Sequence, residues 1–157
     1  MKFENFQLID RVVDLNLADR SIRCEATVPA ESTIFEAHFP TFPLMPGVLL
    51  IESMAQTSGW LIIALQEFKR MPFLAALREV KLRTFVVPGQ RLMFSARLTH
   101  DGSGFAVAEA KGESDGKVVC DATITFRVVE FPNPEFKNVM RSFGKLLNFP
   151  IEAPAHD

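Results

Sequence analysis

The chain has 157 residues, 48% of them hydrophobic and 23% charged, and a formal net charge of -2. That is enough for one domain with a substantial core, of ordinary globular composition. A charge this close to balance excludes the strong positive field of a nucleic-acid or anionic-membrane binder.

Met1 to Asp10 mixes polar and apolar residues, without the basic start and apolar run of a signal peptide. Gln7–Asp14 and Ser21–Pro29 are predicted strands, with the turn between them at Asn16–Asp19. Ala30–Met45 is predicted as a loop holding Pro40 and Pro43. Pro46 suits a first helical turn, where a missing N–H costs nothing. The helix it opens is expected to run to about Phe68 and is apolar on most of its circumference, so other structure must wrap it. Its longest uninterrupted apolar run, Trp60–Leu65, is far too short to span a bilayer.

Phe73–Val87 reads as a strand pair, or as one long strand bent near Lys81–Thr84, before the turn at Pro88-Gly89. Arg91–Thr99, Phe105–Ser114 and Lys117–Val129 are predicted strands. Hairpin turns at Asp101–Gly104 and Asp115-Gly116 join them. The expected fold class is therefore α+β: five to six mostly antiparallel strands in a curved sheet around one apolar helix. This domain is expected to cover 1–130.

Residues 131–157 form an extension. Phe131–Pro134 breaks the strand pattern. Glu135–Leu147 is a predicted amphipathic helix, with Phe136, Val139, Met140, Phe143, Leu146 and Leu147 on one face. It is expected to dock on this domain or on a symmetry mate, and the last ten residues are expected to fray. The chain has 15 Phe and no Tyr. Phe gives large apolar surface without a polar handle, which fits a dry core and also a channel for an aliphatic chain. Cys24 and Cys120 fall in strand-like runs without Cys-x-x-Cys spacing. They read as small buried hydrophobes of a reduced, cytoplasmic protein.

One stretch carries the chemistry. His38 to Gln56 reads His-Phe-Pro-Thr-Phe-Pro-Leu-Met-Pro-Gly-Val-Leu-Leu-Ile-Glu-Ser-Met-Ala-Gln. Taken alone, a single His near a strand end is more often structural. His38 has no metal-ligand spacing to His100 or His156, so no metal is expected. Gly47 follows nine residues later, at the first turn of the helix. Backbone N–H groups there lack intrahelical acceptors, and the helix dipole favours developing negative charge. Gly47 is thus a candidate donor to a thioester carbonyl oxygen. Glu52 interrupts an apolar pattern in the second turn. Either it faces solvent through a gap in the sheet, or it is a buried acid whose pKa is raised to suit a proton donor. Gln56, one turn on, is placed to orient the Glu52 carboxylate.

The stretch His-Phe-Pro-x-x-Pro-x-x-Pro-Gly-Val-Leu-x-x-Glu-x-x-Ala-Gln closely resembles the signature of the FabZ-type 3-hydroxyacyl-(acyl-carrier-protein) dehydratases. These are hot-dog folds, in which a sheet wraps a central helix. The likeness extends to Phe6–Val12 and to Val86-Val87-Pro88-Gly89-Gln90, and covers roughly residues 6 to 129. The resemblance implies His38 and Glu52 as the catalytic pair, with Gly47 as backbone donor and Pro46 and Gln56 as supporting residues. Related dehydratase-isomerases carry Asp at the Glu52 position, so Glu implies plain dehydration. It further implies that no cofactor is needed. The partner would be an acyl carrier protein bearing a phosphopantetheine-linked substrate. The working unit would be at least a homodimer, in which one subunit supplies the His and the other the acid, and such dimers commonly assemble in threes. Acidic carrier protein makes Lys69, Arg70, Arg78, Lys81, Arg83 and Arg91 candidate docking residues.

Two departures stand out. Thr41 occupies a position that is usually Gly, and a φ above zero there would strain it. Glu4-Asn5-Phe6 replaces the usual Pro-His-Arg-Tyr-Pro. The other readings of the same residues are a hot-dog thioesterase, with Glu52 activating water, and a non-catalytic acyl-binding subunit.

Overall fold

The computed structural model describes residues 1–150. Six strands form one sheet: β1 (Arg11–Asn16), β2 (Ser21–Thr27), β3 (Arg70–Leu82), β4 (Arg91–Gly102), β5 (Phe105–Ser114) and β6 (Lys117–Glu130). Three α-helices accompany them, α1 (Thr33–Ala37), α2 (Gly47–Leu65) and α3 (Pro134–Leu146), with one 3-10 turn at Phe3–Asn5. The spatial order is β1-β2-β4-β5-β6-β3, and every neighbouring pair is antiparallel. The sheet wraps α2, which makes the fold α+β of the hot-dog type.

The hairpins follow from turn chemistry. Ser103-Gly104 joins β4 to β5 and Asp115-Gly116 joins β5 to β6, and all four residues have positive φ. That is the backbone a two-residue turn needs to match strand twist.

The core is built for a central helix. On β5 the inward residues are Ala106, Ala108 and Ala110, all buried. Their small side chains leave room for Leu50, Met54, Leu61 and Ile62 of α2, which are almost wholly enclosed. Ser53, Thr57 and Ser58 are buried in the same helix at 0% exposure. Each hydroxyl donates to the carbonyl four residues back, at 2.8 to 2.9 Å. This satisfies them without a partner element. α2 is long and apolar enough to cross a membrane, but here the sheet supplies the apolar surroundings it needs.

Several boundaries differ from expectation: β1 begins at Arg11 rather than Gln7 and runs to Asn16, and β4 continues past Thr99 to Gly102. The predicted loop 30–45 contains the short α1, because Ser32 caps it and Glu4 reaches across to the Ser32 hydroxyl at 2.7 Å and the Thr33 N–H at 3.0 Å. Those contacts join residues far apart in the chain, so local pattern does not carry them. α2 ends at Leu65 rather than Phe68, since Glu67 and Phe68 take left-handed backbone. The strand expected over 73–87 is one strand, β3, and stops at Leu82.

α3 starts where the Asn133 side chain accepts from the Phe136 N–H at 2.7 Å, with Pro134 in the first turn. It docks on this domain. Residues 151–157, within the stretch expected to fray, lie outside the described residues, as does His156.

Candidate active site

The loop between α1 and α2 is tied to itself by reciprocal backbone bonds. Phe39 N–H donates to the Phe42 carbonyl at 3.2 Å, and Phe42 N–H returns the bond to Phe39 at 3.0 Å. The Leu44 N–H donates to the His38 carbonyl at 2.9 Å. Met45 N–H donates to the Val86 carbonyl at 2.8 Å, which anchors the loop beside the segment after β3. Thr41, at the tip, has no positive φ. A β-branched side chain is therefore tolerated where glycine was expected.

This loop fixes the His38 ring. Nδ1 lies 3.0 Å from the Leu44 carbonyl oxygen. A carbonyl only accepts, so Nδ1 carries the hydrogen, and in the neutral ring Nε2 holds the lone pair. The Phe39 ring stacks on the imidazole at 4.2 Å between centroids. His38 is half-buried and lines a groove of about 530 Å³ with Met45, Gly47, Leu50, Leu82 and Phe85. Gly47 is the first residue of α2, so its N–H has no acceptor within the helix. A Cβ at Gly47 would lie 2.3 Å from Leu82 Cδ1, so a side chain there would push Leu82 aside.

Glu52 is half-buried and opens elsewhere. It lines a second groove with Gln56, Trp60, Met71, Phe73 and Met140. Gln56 Nε2 donates to Glu52 Oε1 at 3.2 Å and to the Phe6 carbonyl at 3.0 Å. Gln56 Oε1 accepts from the Leu8 N–H at 3.2 Å. Burial pushes the Glu52 carboxyl above its ordinary pKa, and the Gln56 hydrogen bond opposes this in part. Among the described residues, no group of three His, Cys, Asp or Glu side chains is assembled that could hold a metal ion.

Within one chain, then, the loop brings His38 and Gly47 together, α2 brings Glu52 and Gln56 together, and the two pairs sit in different grooves. The sequence reading missed four residues: Leu44 as acceptor for the His38 ring, Phe6 and Leu8 as anchors of Gln56, and Leu82 against Gly47. The last three make long-range contacts with no local signal. His100 lies exposed on β4, away from both grooves.

Residues 2–123 match the FabA-like domain. The chain belongs to the FabA-like family. It is 38% identical over 122 residues to the 3-hydroxyacyl-(acyl-carrier-protein) dehydratase FabZ of Streptococcus sanguinis, covering 77% of this chain and 86% of that one. Against the protein of that name from Streptococcus equi subsp. zooepidemicus, identity is 40% over 120 residues, or 76% of this chain and 84% of the other. Solved structures share the fold at lower identity. A hypothetical thioesterase with coenzyme A from Streptococcus pneumoniae aligns with TM-score 0.62 at 16% identity, over 78% of this chain and 88% of that one. The dehydratase heterocomplex ApeI:P from Xenorhabdus doucetiae aligns with TM-score 0.61 at 20% identity, over 86% and 90%. α3 lies beyond the FabA-like match.

Proposed function

We propose that this chain is a 3-hydroxyacyl-(acyl-carrier-protein) dehydratase of fatty-acid or lipid biosynthesis. Neutral His38 removes a C2 proton through Nε2. The Gly47 N–H stabilises the enolate-like oxygen at the helix N-terminus. Glu52 protonates the leaving C3 hydroxyl, so water departs and a trans-2-enoyl thioester remains. An acid or base of this kind is worth roughly 10²–10⁴ in rate, and one oxyanion donor about 10²–10³.

One observation carries the reading. The His38–Gly47 groove opens at residues 82–86, at the end of β3, whereas the Glu52 groove opens at residues 71–74, at its start. β3 is a sheet edge with exposed apolar side chains, among them Phe73, Leu74, Leu77 and Leu82. An unpaired edge of 13 residues that exposes these apolar side chains calls for a cover. A second copy pairing antiparallel along β3, about a twofold axis near its middle, sets the end of one strand beside the start of the other. The His38 groove of one protomer then meets the Glu52 groove of its partner, and the dimer holds two complete sites.

The acyl carrier protein is the proposed partner. Of the candidate docking residues, Lys69 is paired with Glu67 and Arg83 with Asp121. Arg70, Arg78, Lys81 and Arg91 are exposed. The cytoplasm is the proposed compartment, in keeping with two free buried thiols.

Subunit mixing tests both the reaction and the shared site. His38→Ala and Glu52→Gln proteins are each assayed for enoyl absorbance and for free thiol, then unfolded together, refolded and assayed again. Each alone is expected to be nearly inactive. The mixture is expected to regain activity, because a mixed dimer has one site with both native residues. Release of free thiol from wild type would instead mean thioester hydrolysis. An inactive mixture would place both groups in one chain.

A further inference from the structure

The groove that holds Glu52 has one polar end. Glu52 and Gln56 stand there, and beyond them the walls include Trp60 and Ile63 of α2, Phe126 of β6 and Met140 of α3. Its volume is about 240 Å³. Glu52 to Ile63 is a rise of about 16 Å along the helix. Gly59 leaves one wall bare: a Cβ there would lie 3.7 Å from Pro72 Cγ, an ordinary contact. Packing therefore does not demand glycine at 59, and the space beside it is free volume.

α3 is held in place from its far end. Leu147 and Phe149 are buried, and the Leu147 carbonyl accepts from the Val12 N–H at 2.8 Å. The Phe149 ring lies 5.0 Å from Trp60 and 5.8 Å from Phe68, centroid to centroid. Met140 is only half-buried, yet it lines the groove. Truncating it leaves these anchors intact.

We propose that α3 is the end-stop of the acyl tunnel, with Met140 and Trp60 setting the longest acyl chain the site accepts. This rests on the proposed dehydratase reading, which seats the reacting carbons at Glu52. A thioester with an aliphatic tail matches a channel that is polar at one end and apolar along its length. Met is a flexible, polarizable filler that gives a soft stop. α3 lies outside the FabA-like match over 2–123. Chain-length selection is thus shared between the extension, through Met140, and the family domain, through Trp60, whereas the chemistry belongs to the family domain alone.

The test uses full-length wild type, Met140→Ala and Gly59→Ala. Dehydration is measured over 3-hydroxyacyl thioesters of increasing length. Emission of Trp60, the chain's only tryptophan, is titrated with saturated acyl-pantetheines of the same lengths. Misfit by one methylene in an apolar pocket is worth about 10- to 200-fold. Met140→Ala should therefore raise kcat/KM for the first rejected length, relative to shorter chains, by about tenfold. Gly59→Ala should shift the cutoff to shorter chains. Trp60 emission should respond to the longest accepted chains, and neither to short chains that stop before Trp60 nor to rejected lengths. A cutoff that Met140→Ala leaves in place, in rates and in binding, overturns the inference while dehydration stands. Absent dehydration with a binding cutoff that Met140→Ala does move overturns the reaction and keeps the end-stop.

Discussion

His38 and Leu44 bond to each other twice. The Leu44 N–H donates to the His38 carbonyl at 2.9 Å, and His38 Nδ1 donates to the Leu44 carbonyl at 3.0 Å. The ring is thus oriented by the loop that carries it, and its tautomer is set without a carboxylate partner. His38→Ala should lower turnover by roughly 10²–10⁴. One half-buried hydrogen bond and the stacking of the Phe39 ring are lost, so stability should fall by about 1–2 kcal/mol. Thermal melts and enoyl absorbance check the two effects separately, and a variant that dehydrates at the wild-type rate would remove His38 from the mechanism.

Glu52 costs the fold stability near neutral pH. Burial raises its carboxyl pKa in the folded state, so the folded protein binds more protons than the unfolded chain between the unfolded and folded pKa values. Stability then falls as pH rises through that window, and is undiminished below it. Glu52→Gln should therefore melt higher than wild type near neutral pH, with the difference closing under acid conditions, while activity drops by roughly 10²–10⁴. Melting curves across pH that run parallel for the two proteins would count against a buried carboxyl.

Gln56 links the acid to the N-terminal segment. Gln56→Ala removes hydrogen bonds to Glu52, Phe6 and Leu8. A loss of about 1–3 kcal/mol is expected, since the Leu8 N–H is left without this acceptor. The Gln56 bond also favours charged Glu52, so its removal should move the basic limb of the pH–rate profile to higher pH. An unmoved limb would show that Gln56 is structural only.

Gly47→Ala meets a flexible neighbour. The new methyl displaces Leu82, whose side chain is half exposed and can turn away. The protein should fold, but Leu82 lines the His38 groove and its shift should lower kcat/KM. Adding Leu82→Ala should recover part of that loss. If the double variant is no faster than Gly47→Ala, crowding by Leu82 is not the cause.

The two thiols should be silent in the folded state. Burial pushes Cys24 up to about 12 and Cys120 up to about 11. The thiolate is the reactive form, so a thiol reagent should label neither until the protein unfolds. Labelling at the rate of a free thiol in native buffer would contradict their burial.

Much of this was legible in the sequence. The alternating runs and the Asp-Gly turn announce strands and a hairpin because their signals lie within a few residues. The greasy run after Pro46 announces a wrapped helix, because no such surface survives in water. His38, Gly47, Glu52 and Gln56 were legible as candidates for the same reason: they fall in 19 contiguous residues. α1 was not, because its cap partner Glu4 is distant in sequence. Nor was the end of α2, where left-handed residues other than glycine stop the helix.

The chain by itself determined the local parts: which segments form strands and the central helix, and which residue types stand ready at the helix start. Tertiary structure alone decided how they meet. Wrapping the sheet around α2 sends His38 and Glu52 to opposite ends of β3, into separate grooves, and leaves that strand's apolar edge uncovered. The physical reason is that burial and distance between grooves depend on which elements pack together, and no local pattern encodes that packing.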